Sequence, residues 1–504
     1  MLRRAPLATR GIDVNAPAPL ELRAEASPQS AGNASADSPS ASSTAAPSWS
    51  QRLGTFGAAF NLAQVPAEVV AGAKLCILDA IGIAFASNTF DFAARTAAGI
   101  ADVAGAGEHV VIGRRERLPL RDAALLNGVL IHGLDYDDTH PGSVVHATAS
   151  ALPVVLAEGL KRGVSGARAL AAYVLAVEAD ARIGLHAGGW WQKAGFHPTG
   201  VVGVFGAALA AGYLQGQSAE QLALGQGLAL SMASGSMEFL DDGTWTKRLH
   251  PGWAASSGLT AASLARHGFE SPRQAFEGRF GLFNTYLGGR WPGTDRDLLE
   301  GLGERWETAT VAIKPYPVCH FNHACGDAAL ALQAEHGFKA AEVVSITARI
   351  HRNQMPVVCE PAAAKLCPQS DYDAKFSLPY FVAACLVRGR FGLQELEPAS
   401  ITDPDILALC AKVQCEHDEE SAFPEYFSGQ VEIHLRDGRR LERRERVNRG
   451  AAERPLSRQD IEAKFMANAL LSVSPAQAEA VLAAVMGLEQ AESLAALCAL
   501  LPSS

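Results

Sequence analysis

The sequence predicts a mainly α-helical protein with a large all-helical domain, a smaller α+β domain, and final helices that return to the first domain. Three observations lead to this prediction. Apolar residues recur at helical spacing over residues 49–308, alternate with polar residues within 309–456, and return to helical spacing over 457–504. The composition, 48% hydrophobic and 19% charged over 504 residues, is typical of a globular protein with a sizeable core.

Residues 1–48 differ from the rest of the chain. Ala, Ser and Pro dominate and no aromatic residue occurs before Trp49, so the segment cannot bury enough apolar surface to offset the entropy of ordering it. Arg3, Arg4 and Arg10 give a weak match to an organelle transit peptide, but the composition favours a disordered tail. Nine cysteines without a CxxC pair favour reduced thiols and a cytoplasmic location.

The helical domain is predicted from repeated apolar spacing. In residues 66–86, Val69, Ala73, Ile77 and others recur every three or four positions, and Pro66 suits a first turn. Further helices are expected at residues 120–134, 147–161, 167–181, 199–215, 219–237 and 252–267. Many of these contain Ala and Gly, which allow helices to approach closely.

The α+β domain is predicted from alternation. Val344, Ile346, Ala348 and Ile350 alternate with polar or small residues, which indicates a half-buried strand. A second alternating stretch, 431–435, leads to Asp437-Gly438, a dipeptide suited to a hairpin turn, and the charged residues 439–446 would return as a solvated strand. Helices are expected around 324–336 and 376–387.

Charge and motifs exclude several classes of function. A net charge of −10 and a pI near 5.8 argue against a nucleic-acid or anionic-membrane partner. The apolar run over residues 201–214 is too short to span a bilayer. No dinucleotide-binding, phosphate-loop or nucleophile-elbow signature occurs, so we expect no nucleotide chemistry and no serine-hydrolase chemistry.

One polar segment interrupts the apolar helices at residues 135–146. If helix continued through it, Asp135, Asp138 and Thr139 would share a face, and the following Pro-Gly pair would let His146 fold back. Burying carboxylates without partners between two apolar helices costs free energy. The segment is therefore predicted to form a site rather than a solvated loop.

Further polar groups stand at predicted helix starts. His197 precedes Pro198 at a helix entrance, a position that points backbone N–H groups at an anion, although a lone histidine is equally often structural. Lys247 and Arg248 come just before another apolar helix, where spacing alone favours a solvated turn. Tyr380 lies in the segment that begins with Lys375. It is either a polar group of the same site or a packed ring with a satisfied hydroxyl.

Residues 314–325 contain Lys314, Cys319, His320, His323 and Cys325 at the junction between the domains. The cysteine spacing fits neither common zinc patterns nor an iron–sulfur hydratase, so we expect no metal and no cofactor. Instead, lysines and histidines with carboxylates suit a small polycarboxylate substrate on which protons are moved. We expect removal of Lys314 to reduce turnover and to leave stability nearly unchanged.

Six short segments, taken together and in order, resemble the MmgE/PrpD family. They begin with LDAIG at residue 78, DYDDT at 135 and GFHP at 195, and continue with TKR at 246, IK at 313 and KFSLPY at 375. The resemblance implies a helical domain (49–308), an α+β lid (309–456) and returning helices (457–504), with the active site between the domains and a homodimeric assembly.

The resemblance also implies the site residues. By motif position these are Asp135, Thr139, His146, His197, Lys247, Lys314 and Tyr380, with Arg248 and His320 as substrate-binding residues. One departure is that Ala147 follows His146 where many family members have proline. The family includes dehydratases, decarboxylases and epimerases. The resemblance implies no metal and no cofactor.

Four functions remain open from the sequence. We expect first a cofactor-independent lyase of the 2-methylcitrate dehydratase type. The alternatives are cis-aconitate decarboxylation, epimerisation of an amino or imino dicarboxylate, and a polycarboxylate-binding homodimer that has lost catalysis. Turnover assays across small polycarboxylic acids separate the enzymes, and binding without turnover would indicate the last.

Overall fold

The helix Pro198–Leu214 has every residue buried, because its sequence offers no charged group and consists largely of Val, Ala, Gly and Leu. It lies at the centre of the helical domain. Small residues let its neighbours approach closely: a Cβ added to Gly258 would lie 2.4 Å from the Cβ of Ala207. The prediction of a tightly packed interior rich in Ala and Gly is therefore confirmed.

The structure is a computed structural model that describes residues 46–288, 291–293 and 295–503. The predicted disordered tail lies almost wholly outside the described residues. Ser48 is described and is the N-cap of the first helix, where its hydroxyl accepts from the N–H of Gln51 and donates to the carbonyl of Arg273. By their backbone contacts, residues 47–504 form one compact unit.

The helical domain contains these helices and a short β-ribbon: α1 (Trp49–Ala59), α2 (Ala67–Ser87), α3 (Asp91–Val103), β1 (His109–Val110), β2 (Arg117–Leu118), α4 (Leu120–His132), α5 (Ala147–Arg162), α6 (Gly166–His186), α7 (Trp190–Lys193), α8 (Pro198–Leu214), α9 (Ala219–Leu230), α10 (Phe239–Asp242), α11 (Thr246–Arg266) and α12 (Leu282–Leu287). One hydrophobic core takes side chains from each of these elements except α10.

Three helix boundaries differ from the predictions by five residues or more. Helix α6 continues to His186, five residues past its predicted end. Helix α9 ends at Leu230 rather than near residue 237. Helix α11 begins at Thr246, six residues before the predicted start, and carries Pro251 inside it. Lys247 and Arg248 therefore lie in a first helical turn and not in a solvated turn.

Helix α2 is long and apolar enough to cross a membrane by length and composition alone, and within the described residues it is the one helix that meets both criteria. Of its most apolar 18-residue window, 78% is buried inside the fold. The core helix of a globular fold passes the same test, and the buried side chains of α2 belong to the helical core.

A second hydrophobic core lies in the α+β region, among residues 316–441. Its elements are α13 (His323–His336), β3 (Val343–Ile350), α14 (Met355–Val358), α15 (Ala362–Leu366), α16 (Asp371–Lys375), α17 (Leu378–Arg388), α18 (Pro398–Ile401), α19 (Pro404–Cys410), β4 (Val413–His417), β5 (Gly429–Leu435) and β6 (Arg440–Glu445). The strand order is β4-β3-β5-β6. Strand β4, which pairs parallel to β3, was not predicted.

The predicted strands are present, with one change of phase. Strands β5 and β6 pair antiparallel around the predicted turn, where Gly438 has a positive φ of 90°. In β3, Val344 was expected on the buried face but is 52% exposed, while Val343 is fully buried. The pairing of β3 with β5 shifts between Val343 and Ser345, and this bulge inverts the alternation at the strand's start.

The last helices return to the helical domain, as predicted. They are α20 (Arg458–Ala469), α21 (Pro475–Met486) and α22 (Ala495–Leu500), and their buried residues belong to the helical core. Phe465 packs so closely on α2 that a Cβ at Gly82 would lie 2.9 Å from its ring. The LDAIG segment at residue 78 thus serves helix packing.

Candidate active site

Most of the polar residues singled out in the sequence come together where the two hydrophobic cores meet. Residues 133–146 connect α4 to α5, and Thr139 exchanges two backbone hydrogen bonds of 2.8 Å with Ala312. This pairing holds the connection beside Lys314. His197 precedes α8 and Lys247 lies in the first turn of α11, so several elements converge on one place.

The connection 133–146 is not helical, contrary to the conditional expectation of one shared face. Helix α4 ends at His132, and both Asp135 (φ 53°) and Val144 (φ 55°) adopt left-handed backbone conformations. Asp tolerates this conformation better than most residues, whereas for a β-branched residue it is a strained outlier. Asp138 therefore does not share a helix face with Asp135. Its Oδ2 instead accepts a 2.5 Å hydrogen bond from the hydroxyl of Thr148.

Asp135 lies between two lysines in what we call the ammonium–carboxylate cluster (Asp135, Lys247 and Lys314). Its Oδ1 lies 2.9 Å from Nζ of Lys314 and 3.0 Å from Nζ of Lys247. Burial by itself raises the pKa of Asp135, but the two ammonium groups hold it well below its usual value. Two cations and one carboxylate leave this buried cluster with one positive charge.

A second group, the imidazole–carboxylate relay, consists of His132, Asp137 and His146. Nδ1 of His132 lies 2.9 Å from Oδ2 of Asp137, and Nδ1 of His146 lies 3.3 Å from Oδ1. Burial lowers the pKa of His146 to about 4 although Asp137 opposes this, so the imidazole is neutral at neutral pH. Nδ1 of His146 lies beside the charge of Asp137 and within hydrogen-bonding distance of the Thr139 hydroxyl, and Nε2 is the other ring nitrogen that can accept a proton.

Neighbouring side chains position the relay. The hydroxyl of Thr139 lies 3.3 Å from Nδ1 of His146, and the backbone N–H of His146 donates to the hydroxyl of Thr199 at 3.1 Å. The ring of His197 stacks on His132 at a centroid distance of 5.6 Å, and its Nδ1 lies 3.1 Å from Nδ1 of His250. Burial, reinforced by the nearby Lys247, lowers the pKa of His197 well below its usual value.

The two predicted substrate-binding residues border this centre. Nη2 of Arg248 lies 3.6 Å from Oδ2 of Asp371, and its guanidinium lies 4.4 Å from the centre of the Phe92 ring. His320 is on the lid side, with Nε2 at 2.9 Å from Nδ2 of Asn448. Burial lowers the pKa of His320 well below its usual value, and the charge of Lys314 acts on it in the same direction.

Tyr380 is not brought to this centre, and the structure corrects its placement. It lies at the start of α17 in the lid core with no exposed surface, and its hydroxyl donates to the carbonyl of Glu395 at 2.5 Å. The alternative that the sequence left open, a packed ring with a satisfied hydroxyl, describes its environment. We do not carry Tyr380 forward as a site residue.

Metal ligation was considered at residues 319–325, and the described residues do not converge there. The structure does bring three potential ligands within 4.8 Å of one another, namely His132, Asp137 and His146. Nδ1 of His132 is already hydrogen-bonded to Oδ2 of Asp137 at 2.9 Å, and Nδ1 of His146 lies 3.3 Å from the hydroxyl of Thr139. Hydrogen bonding accounts for the group, so we assign no metal to it.

Sequence reasoning missed two members of the relay. His132 ends an apolar helix and was read as part of it, and Asp137 was quoted within its motif but given no role. The spacing of His132, Asp135 and Asp137 around a helix end was an available signal. Their contact depends on the left-handed turn at Asp135, which sequence periodicity does not reveal.

A buried ion pair supports the centre from the C-terminal helices. Nζ of Lys464, on α20, lies 2.8 Å from Oδ1 of Asp79 on α2. The same ammonium donates to the carbonyls of Tyr136 and Lys314, each at 2.9 Å. Lys464 therefore fixes the backbone of two segments that carry site residues.

Comparison with known proteins identifies the family. The MmgE/PrpD N-terminal domain matches residues 51–294, and the MmgE/PrpD C-terminal domain matches residues 316–490. The chain belongs to the MmgE/PrpD family. This confirms the resemblance drawn from the six segments, whose lysine and aspartate residues supply the ammonium–carboxylate cluster.

Several known proteins are similar to this chain over most of their length. Human cis-aconitate decarboxylase is 30% identical over 401 residues, which is 76% of this chain and 80% of that protein. The mouse cis-aconitate decarboxylase is 28% identical over 86% of this chain and 89% of its own. A cis-aconitate decarboxylase-like protein of Aspergillus oryzae is 26% identical, with 87% and 94% covered.

Proposed function

We propose that this protein is a cofactor-independent carboxy-lyase that converts cis-aconitate to itaconate and carbon dioxide. The observation that carries the proposal is the similarity, over most of both chains, to proteins named cis-aconitate decarboxylase. The dehydratase reaction expected first from the sequence receives no such support. The alternative stated beside it is therefore the better proposal.

The chemistry of this reaction sets two requirements for the site. The carboxylate on the CH₂ carbon of cis-aconitate leaves as carbon dioxide, and the electron pair of the broken C–C bond forms the new double bond. The former double-bond electrons move onto the neighbouring carbon, which bears another carboxylate and must receive a proton. The site therefore has to stabilise a transient carbanion and deliver one proton to carbon.

The ammonium–carboxylate cluster meets the first requirement. Lys247 and Lys314 share one carboxylate, so their remaining N–H groups can bind a substrate carboxylate in a buried setting. Negative charge that spreads from the carbanion onto this carboxylate is stabilised by cations already in place. The depressed pKa of Asp135 keeps the cluster charged and its geometry fixed.

The imidazole–carboxylate relay meets the second requirement. His146 is neutral in the free enzyme because burial lowers its pKa to about 4. The negative charges of a bound tricarboxylate raise that pKa, so a proton enters with the substrate. The charge of Asp137, whose Oδ1 lies 3.3 Å from Nδ1, stabilises the imidazolium, and Nε2 delivers the proton to carbon.

The test is a direct assay of the purified protein. Incubation with cis-aconitate should release carbon dioxide and itaconate in equal amounts, measured by gas capture and by chromatography. His146→Gln should abolish itaconate formation, while Tyr380→Phe, a matched aromatic change in the lid core, should retain it. Formation of an alkene from 2-methylcitrate, with no itaconate from cis-aconitate, would reject the decarboxylase in favour of the dehydratase.

Two predictions from the sequence accompany this proposal. The homodimer implied by the family resemblance remains a prediction, which sedimentation of the full chain tests. The cytoplasmic location also remains a prediction, and fractionation of cells that produce the tagged full chain tests it.

A further inference from the structure

Lys375 is a buried lysine without a hydrogen-bonding partner. It ends α16, its side chain is 1% exposed, and its Nζ makes no hydrogen bond within the part of the chain that the structure describes. Its nearest carboxylate is Asp371, with Oδ2 3.6 Å away. A buried ammonium group in this state is costly, so its presence calls for an explanation.

Lys464 shows how this protein satisfies a buried lysine that has a structural role. An ammonium group has three hydrogens to donate. Nζ of Lys464 uses them on Asp79 and on the carbonyls of Tyr136 and Lys314, all within 2.9 Å. Lys375 is buried to a similar degree and uses none, so the structural explanation that fits Lys464 does not fit Lys375.

Lys375 is held beside the site described above. Its backbone carbonyl accepts hydrogen bonds from the N–H of Cys319 at 2.9 Å and from Nδ2 of Asn322 at 3.2 Å, which ties α16 to the segment after Lys314. The next residue, Phe376, has its ring centre 5.8 Å from Nζ of Lys247. Burial lowers the pKa of Lys375 to about 8, and the charges of Asp371 and, more weakly, Asp135 partly oppose that shift.

A second unpartnered group lies at the same place. The hydroxyl oxygen of Tyr372, also on α16, is buried and has no hydrogen-bond partner among the described residues. Burial raises the pKa of Tyr372, with Asp135 and Arg248 among the charges that act on it. One short helix thus presents two unsatisfied donors next to the ammonium–carboxylate cluster.

The balance of charge indicates what these donors would bind. Lys247 and Lys314 share Asp135 at hydrogen-bonding distance, whereas Arg248 and Lys375 share Asp371 at 3.6 Å, beyond a hydrogen bond. Four cations therefore contact two carboxylates. The second pair has the looser contacts, and an anion placed between its members would satisfy both.

We propose that Lys375 and Arg248, with the Tyr372 hydroxyl, form a second carboxylate-binding position of the active site. The first position is the Lys247–Lys314 pair, and the two positions together select substrates that carry carboxylates at both ends. This inference rests on the proposed function to the extent that the substrate is a polycarboxylate. It assigns Lys375 to substrate recognition.

The experiment measures binding rather than turnover. Propane-1,2,3-tricarboxylate carries three carboxylates but has no double bond, so it serves as an unreactive probe in titration calorimetry. Lys375→Met should weaken its binding at least tenfold while leaving the melting temperature unchanged or raised, because the substitution removes an unpaired buried charge. Arg248→Met should also weaken binding.

Two matched lysines serve as controls. Lys412→Met changes a half-buried lid lysine whose Nζ donates to the carbonyl of Val343, and it should leave binding unchanged. Lys464→Met should lower the melting temperature, in contrast to Lys375→Met. Equal binding by wild type and Lys375→Met would overturn the inference, and so would loss of folding in Lys375→Met or a wild-type protein that does not bind the probe.

The inference and the proposed function fail separately. A protein that binds the probe through Lys375 but forms no itaconate from cis-aconitate would reject the decarboxylase proposal and support the second carboxylate position. If wild type and Lys375→Met both form itaconate with the same KM, the decarboxylase proposal is supported and the second carboxylate position is rejected.

Discussion

Nζ of Lys314 donates both to Oδ1 of Asp135, at 2.9 Å, and to the backbone carbonyl of the same residue, at 2.8 Å. The lysine comes from the junction between the domains and the aspartate from the connection after α4. This double contact holds the left-handed turn at Asp135 in place. Lys314 is also only 2% exposed, which contradicts the expectation that its removal would leave stability nearly unchanged.

Substitution of Lys314 by methionine should therefore reduce both stability and turnover. Asp135 keeps Lys247 as a partner, so we expect the free energy of unfolding to fall by about 1–3 kcal/mol. We expect kcat/KM for cis-aconitate to fall at least about tenfold, because a charge-assisted contact is lost.

Lys247→Met, at the more exposed side of Asp135, should reduce turnover with a smaller loss of stability. Urea unfolding and steady-state kinetics measure both, and unchanged stability in Lys314→Met would contradict the role given to its double contact.

Substitution of Asp137 by asparagine should impair catalysis more than binding. The neutral amide lacks the negative charge that stabilises the imidazolium of His146, so we expect kcat to fall by roughly 10² or more. The affinity for propane-1,2,3-tricarboxylate, measured by calorimetry, should change little. If kcat is preserved, the relay is structural and the proton must come from elsewhere.

Substitution of Tyr380 by phenylalanine should leave kcat and KM unchanged. The variant loses the hydrogen bond to the carbonyl of Glu395, and we expect a destabilisation of about 1 kcal/mol. Thermal unfolding and the itaconate assay measure the two effects. A large fall in kcat with normal stability would restore Tyr380 to the site.

Substitution of Asp138 by asparagine should stabilise the protein increasingly as the pH rises. Burial raises the pKa of Asp138 to about 8, whereas an unfolded aspartate ionises near pH 4. Between these values the unfolded chain has released the proton and the folded protein still holds it, so the wild type loses stability with rising pH. The loss is up to about 1.4 kcal/mol per pH unit for one group, and asparagine does not titrate.

The measurement for Asp138 is the difference in melting temperature between variant and wild type at pH 5, 6.5, 8 and 9. This difference should grow up to about pH 8 and then level off. A difference that stays constant across this range would mean that Asp138 is ionised in the folded state.

Treatment with a chelator should leave turnover of cis-aconitate intact. In the one group of potential ligands within the described residues, Nδ1 of each histidine already has a hydrogen-bonding partner, and each proposed step uses side chains alone. Activity after dialysis against EDTA, compared with an undialysed sample, checks this. Loss of activity that zinc restores would assign the His132–Asp137–His146 group to a metal.

The elements that sequence predicted best are those whose partners are apolar and regular. Helix α8 and the hairpin of β5 and β6 follow from periodicity and from the turn at Gly438, because one face or the whole element must be buried. The short strand β4 and the bulge at Val343 were missed. Both depend on pairing with β3, which is a tertiary contact that local pattern does not encode.

The site was predictable in residue type but not in arrangement. Lysines, histidines and an aspartate at helix ends indicated polycarboxylate chemistry, and the structure brings Asp135, Lys247 and Lys314 together. The role of Asp137 depends on two left-handed residues, Asp135 and Val144, that no periodicity announces. Tyr380 lies apart from this arrangement, because its hydroxyl donates to the backbone carbonyl of Glu395. The position of a tyrosine within a motif does not predict which acceptor its hydroxyl will find.

The three hydrogen bonds of Lys464 affect the order in which the active centre is assembled during synthesis. Helix α20 is synthesised well after Asp79, Tyr136 and Lys314. The carbonyls of Tyr136 and Lys314 therefore lack this donor until α20 has left the ribosome. A nascent chain that already contains both domains still lacks this clamp. The centre is thereby unfinished until α20 has been synthesised, and a product truncated before Arg458 would contain both domains without a finished centre.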